Sequence, residues 1–148
     1  MKKRHHSPVS KTDLLPFPRA TRDQELLECH LCLSALRTGD STIYHLIVLA
    51  KVLKISNFLA GDGHGVDAER VLSAAQDSIL KAQLMGRATG RWQATEESLW
   101  RPLGALLQLY EDQLERAPSF KVSRAFKRTN EEAREAGQQC AAPVSLAA

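Results

Sequence analysis

Residues 43 to 59 read IYHLIVLAKVLKISNFL, and wound as a helix this stretch puts apolar side chains on almost every face. A helix of that kind is stable in water only when neighbours cover most of its sides. Other helices must therefore surround it, and the expected fold is an all-α bundle with this segment at its centre. Lys51 and Lys54 fall about 60° apart at about 100° per residue, which leaves one narrow wet edge near Ile47 and Phe58. His45 and Ser56 lie together on the other side and are expected to bond to each other in the core.

The flanking sequence supplies the partners. Asp40 and Ser41 are suitable caps for the central helix, and Gly61, Gly63 and Gly65 end it. Upstream, Thr21 with Gln24 makes a capping-box pattern and Gly39 a stop, predicting a first helix from Arg22 to Thr38. Leu26, Cys29, Leu33 and Leu36 form one stripe on it. Leu27 and Leu31 lie on another side, so this helix is expected to touch more than one neighbour, or another chain. Downstream, Val66 and Val71 flank Asp67 as a hydrophobic staple that starts a third helix. Along it Ala75, Ser78 and Ala82 are small enough to let a neighbouring helix come close.

Gly86 and Gly90 punctuate a turn, GRATGRW, before Thr95, Glu96 and Glu97 begin a fourth helix. Trp100, Leu103, Leu107, Tyr110 and Leu114 alternate along it by three and four, and Pro102 predicts a kink or restart. Pro118 closes that helix. Ser119 caps a fifth, from Phe120 to about Ala136, with Val122, Ala125, Phe126 and Ala133 opposite Lys121, Arg124, Lys127 and Arg128. The expected organisation is a flexible basic arm over residues 1–20, a four-helix bundle over 21–117, a basic amphipathic helix over 118–137, and a flexible tail over 138–148.

At 148 residues and 43% hydrophobic content the chain is one domain with a sizeable core. Its longest unbroken apolar run is Leu46–Ala50, so no membrane span is expected. The basic N-terminal stretch has no apolar run behind it and does not read as a secretory signal, and three cysteines make no disulfide framework. The expected compartment is the cytoplasm. Positive charge gathers at the ends: residues 1–22 hold six Lys/Arg against Asp13, and 118–128 hold four with no acid, while 23–117 hold nine against thirteen acids.

Patterns for chemistry are sparse. Cys29 and Cys32 form C-x-x-C, but no second ligand pair accompanies them, and a buried thiol on an apolar stripe packs as a small hydrophobe. The loop Gly61–Gly65, with Asp62 beside His64, lacks the lysine and hydroxyl of a phosphate-binding loop and reads as an inter-helix turn. No catalytic residue, metal ligand or cofactor is assigned. The expected contact residues are Arg87, Arg91 and Trp92 in the turn, together with Lys121, Arg124, Lys127 and Arg128 on the basic helix. Against this stand a Trp92 that folds back into the core and a basic face that is merely solvated.

The stretch TGRWQATEESLWRPLGALLQLYEDQLE, residues 89–115, resembles small helical proteins of proteobacterial mobile elements, in which a TGRW-type turn precedes a Leu-rich helix. The resemblance implies a bacterial, phage- or plasmid-borne accessory protein and assigns no functional residue. Together these readings predict a non-enzymatic protein acting by protein–protein binding, as regulator, adaptor or inhibitor, with a homo-dimer among the expected assemblies. The alternative is electrostatic nucleic-acid binding through the arm and the fifth helix, with an affinity that falls steeply with salt.

Overall fold

The computed structural model describes residues 9–141, with side chains to residue 138. Its elements are a short 3-10 turn at Lys11–Leu14 and five helices: α1 Arg19–Thr38, α2 Ile43–Gly61, α3 Ala68–Thr89, α4 Glu97–Arg116 and α5 Ser119–Ala141. The fold is all-α and bundle-like. α1 and α3 each pack on both α2 and α4, α2 and α4 touch across the middle, and α5 lies against α2.

α2 is the central helix that its sequence demands. Leu46, Leu49, Val52, Leu53, Ile55, Ser56 and Leu59 are buried, whereas Lys51 and Lys54 stay exposed along one edge with Phe58 half-buried beside it. By length and composition α2 could cross a bilayer, contrary to the expectation that no segment approaches a span. Here it is the core helix, packed by four neighbours. Its cap is Thr42, not Asp40 or Ser41: His45 Nδ1 accepts from the Thr42 N–H at 2.9 Å, taking the part that glutamate plays in the usual capping box. The Ser41 hydroxyl is engaged elsewhere, donating to the Trp92 carbonyl. The expected His45–Ser56 bond is not made, because eleven residues of helix set the two about 16 Å apart, and the Ser56 hydroxyl has no partner among the described residues.

Other helix starts differ from the sequence reading for similar local reasons. α1 begins at Arg19 behind Pro18, whose carbonyl accepts from the Arg22 N–H at 2.9 Å, so Thr21 is inside the helix and is no cap. Asp67 precedes α3 in the left-handed region (φ 52°) without a side-chain cap bond, and Val66 is 82% exposed, so the staple is not formed. α3 runs through Gly86 to Thr89 before Gly90 (φ 74°) ends it. α4 runs through Pro102 without restarting. The proline is its sixth residue, and the carbonyl it leaves unbonded, that of Ser98, belongs to an exposed residue.

The arm expected over residues 1–20 is ordered where it is described. Ser10 caps the 3-10 turn, the Ser119 N–H donates to the Leu15 carbonyl at 2.7 Å, and Phe17 stacks on Phe126 with centroids 6.2 Å apart. Residues 10–17 are thus a strap tied to the start of α5. Residues 1–8 of the expected arm and 142–148 of the expected tail lie outside the described residues, and α5 itself reaches Ala141, past the expected end near Ala136.

Candidate protein-interaction surface

The Arg/Trp turn is built as packing. Gly86 is buried, and a Cβ there would collide with the indole of Trp92, so the glycine is what allows the ring to lie back on α3. The Ser41 bond to the Trp92 carbonyl and the Ala94 N–H to the Leu36 carbonyl at 2.9 Å hold the strand of chain after it against α1. Trp92 is half-buried, while Arg87 and Arg91 remain exposed beside it.

Most cations of the basic helix already have partners within the fold. Arg124 Nη2 meets Asp62 Oδ2 at 2.7 Å, Lys121 Nζ donates to the Asp62 carbonyl at 3.3 Å, and the Arg128 guanidinium lies 4.2 Å from the centre of the Phe58 ring. Lys54 adds a pair to Glu132 at 3.4 Å. Cations near the C-terminal end of α2 also suit its helix dipole. Beneath them Val122, Ala125 and Thr129 are buried. Lys121 and Arg124 therefore already have a partner in Asp62, the C-cap of α2, and Arg128 one in Phe58 on α2, while Lys127 is the member of the expected quartet without one among the described residues.

The C-x-x-C pair and the glycine loop are likewise structural. Cys29 and Cys32 are free thiols in the core. Burial first, then the nearby Glu25 carboxylate, pushes the Cys29 thiol up to about 12, far from a reactive thiolate. No group of three metal-ligating side chains occurs among the described residues. Asp62 faces Arg124 and not His64, so the Asp–His pairing suggested by the loop is not made. Gln113 braces this region from α4, its amide donating to the Ser56 carbonyl at 3.1 Å and the His64 carbonyl at 2.9 Å.

What stands out instead is a face that nothing covers. On α1, Leu27 and Leu31 are 60% and 61% exposed; on α2, Ile43, Tyr44 and Ile47 are 46%, 54% and 49% exposed; on α3, Leu80 and Leu84 are 47% and 66% exposed. α2 is joined to each flanking helix by a short connection, residues 39–42 on one side and 62–67 on the other, so both neighbours run antiparallel to it. The first half of α2 consequently lies beside the later parts of α1 and α3. Leu27, Leu31 and Tyr44 line one groove of about 380 Å³ with Glu28 and His45. Tyr44 donates to Glu28 Oε1 at 2.6 Å, and behind it the buried Tyr110 donates to Glu25 Oε1 at 3.2 Å. Partial burial, opposed by the Tyr110 bond, holds the Glu25 carboxyl above its ordinary range.

The sequence signal for this face was present in part. Leu27 and Leu31 off the main stripe, and apolar residues all round α2, both asked for more cover than the chain gives. Leu80 and Leu84 carried no such signal, because one apolar face of α3 was already accounted for. Compared with family models, curated proteins and solved structures, the chain matches none.

Proposed function

We propose that the protein is a small non-enzymatic accessory protein that works in the cytoplasm by binding another protein through the α1–α2–α3 face. The observation that carries this reading is the set of seven large apolar side chains left about half exposed or more beside a well-filled core. Large apolar side chains left exposed together, as Leu27, Leu31 and Tyr44 are in one groove, are a mark of interaction sites. Each leucine there, already partly covered, stands to gain roughly 1–2 kcal/mol on full burial, enough for several together to carry an interface. The roles that fit are regulator, adaptor or inhibitor, and the likeness of residues 89–115 to mobile-element proteins is what supports a bacterial accessory setting.

The test is cross-linking in the native host, followed by mass spectrometry, with the wild-type chain and with Leu31→Asp. A specific partner captured by the first and lost by the second supports the reading. Background alone from both, with a monomer in light scattering, sinks it.

A further inference from the structure

His45 holds the start of α2 by a bond that depends on its protonation. Its Nδ1 accepts from the Thr42 N–H at 2.9 Å, in the place where a capping box ordinarily has glutamate or glutamine. A ring nitrogen accepts only while it carries no proton, so this bond needs the neutral imidazole whose hydrogen sits on Nε2. Glutamine would keep its acceptor at every pH. Histidine loses its own on acidification, and it is the side chain whose charge ordinarily changes across the physiological range. The Thr42 hydroxyl, 3.3 Å from the same nitrogen, can serve either form of the ring by turning, so the group stranded by protonation is the backbone N–H. Thr42 precedes the helix, and no carbonyl of α2 is available to that N–H.

The same histidine lines the groove between α1 and α2. From α1, Glu28 and the Cys32 thiol face this groove; from α2, Tyr44 stands edge-on to the His45 ring with centroids 5.7 Å apart; no Lys or Arg lines it. An adjoining cavity of about 220 Å³ shares Glu28 and Tyr44 and adds Glu25 and Lys51, and Asp40 is exposed two residues before Thr42. Glu28 is thus the carboxylate in the groove with His45, and it accepts from the Tyr44 hydroxyl at 2.6 Å. We propose that acidification switches this surface: protonated His45 lets go of Thr42 and turns to Glu28 in place of Tyr44, and the first turn of α2, which carries Ile43 and Tyr44, comes loose from its cap. The proposal rests on reading the groove as part of the contact surface, and names its regulation. The positive end of the α2 dipole opposes a cation there, so the protonated form is the looser of the two. Leu27, Leu31 and Tyr44 are therefore presented in order at neutral pH, and the order is lost as pH falls.

Amide hydrogen exchange on the full chain, followed by NMR together with the histidine ring nitrogens from about pH 8 to about pH 5, decides the matter. Protection of the Thr42 amide is expected to fall by roughly fivefold or more in step with protonation of the His45 ring, with the Tyr44 ring signals moving in the same titration. His45→Gln, shown to be folded by circular dichroism, is expected to hold the Thr42 amide equally well across the range. A wild-type Thr42 amide indifferent to pH overturns the proposal, as do Tyr44 signals that stay fixed while it changes, or an equal loss in His45→Gln. If that variant does not fold, wild type alone decides, since an amide that titrates apart from the His45 ring also overturns it. Failure of the wider reading looks different. A Thr42 amide indifferent to pH, with a host partner still lost in Leu31→Asp, removes the switch and keeps the contact surface. A switching amide, with capture indifferent to Leu31→Asp, keeps the switch as a property of the fold and removes its role at a surface.

Discussion

Gly86 and Trp92 show how one missing atom sets a local structure. The indole occupies the place that a Cβ would take, and neither a helix backbone nor a bicyclic ring can yield cheaply. Gly86→Ala should therefore destabilise the fold by about 2–3 kcal/mol, as overpacking does in a tight core. Urea unfolding checks this, and in the background of Trp92→Leu the cost should largely vanish, a coupling that a simple glycine-to-alanine helix effect would not show. Glu25 gives a pH-dependent counterpart. Its carboxyl is held above its ordinary range by burial, so its contribution to stability is fully present below the unfolded-state value and is lost as pH rises through the folded one. Glu25→Gln keeps an acceptor for the Tyr110 hydroxyl and removes the charge. Its thermal midpoint should exceed that of wild type at pH 7 and converge on it near pH 4, a convergence that thermal scans across that range would reveal.

Among the elements, α5 is the one that changed character. Its sequence reads as a cationic ribbon, whereas its charges are pinned to the end of α2 and its apolar residues close that half of the core. Individual surface pairs of this kind contribute only about 0–1 kcal/mol, so the anchoring comes mainly from Val122, Ala125 and the Phe17–Phe126 stack. Residues 131–138 are all exposed, although Glu132 still reaches Lys54 of α2. Amide hydrogen exchange should divide the helix accordingly, with strong protection up to about residue 130 and fast exchange beyond it. Uniform protection along the whole of α5 would mean that a further contact covers its end. The same division accounts for α2: α5 covers its second half, and the first half keeps Ile43, Tyr44 and Ile47 in water.

For the molecule as a whole, exposed and buried leucines should behave as two populations. Leu107 is fully buried on α4, and Leu107→Ala should cost about 2–5 kcal/mol through lost burial and the cavity left behind. Leu84→Gln, at a site 66% exposed, should change the stability of the monomer by no more than about 0.5 kcal/mol. Denaturant unfolding at low protein concentration compares the two directly. A large loss from Leu84→Gln would show that this side chain serves the fold and not the surface.

The sequence by itself determined that the chain is helical, where most helices lie, and which stripes on α1, α3 and α4 face inward. Those are consequences of local periodicity and the left-handed freedom of Gly39 and Gly90, which act within a few residues; the side-chain caps read from the sequence did not place the helix starts. Only the tertiary structure decided which apolar residues would go uncovered, because cover comes from elements distant in the chain. It also decided that Trp92 packs on Gly86 and that Arg124 meets Asp62, contacts that depend on where two helices end relative to each other. The stretch IYHLIVLAKVLKISNFL required burial on most sides, a requirement the other four helices satisfy along its second half. Along its first half they leave a face open, and that open face is the one proposed to meet a partner.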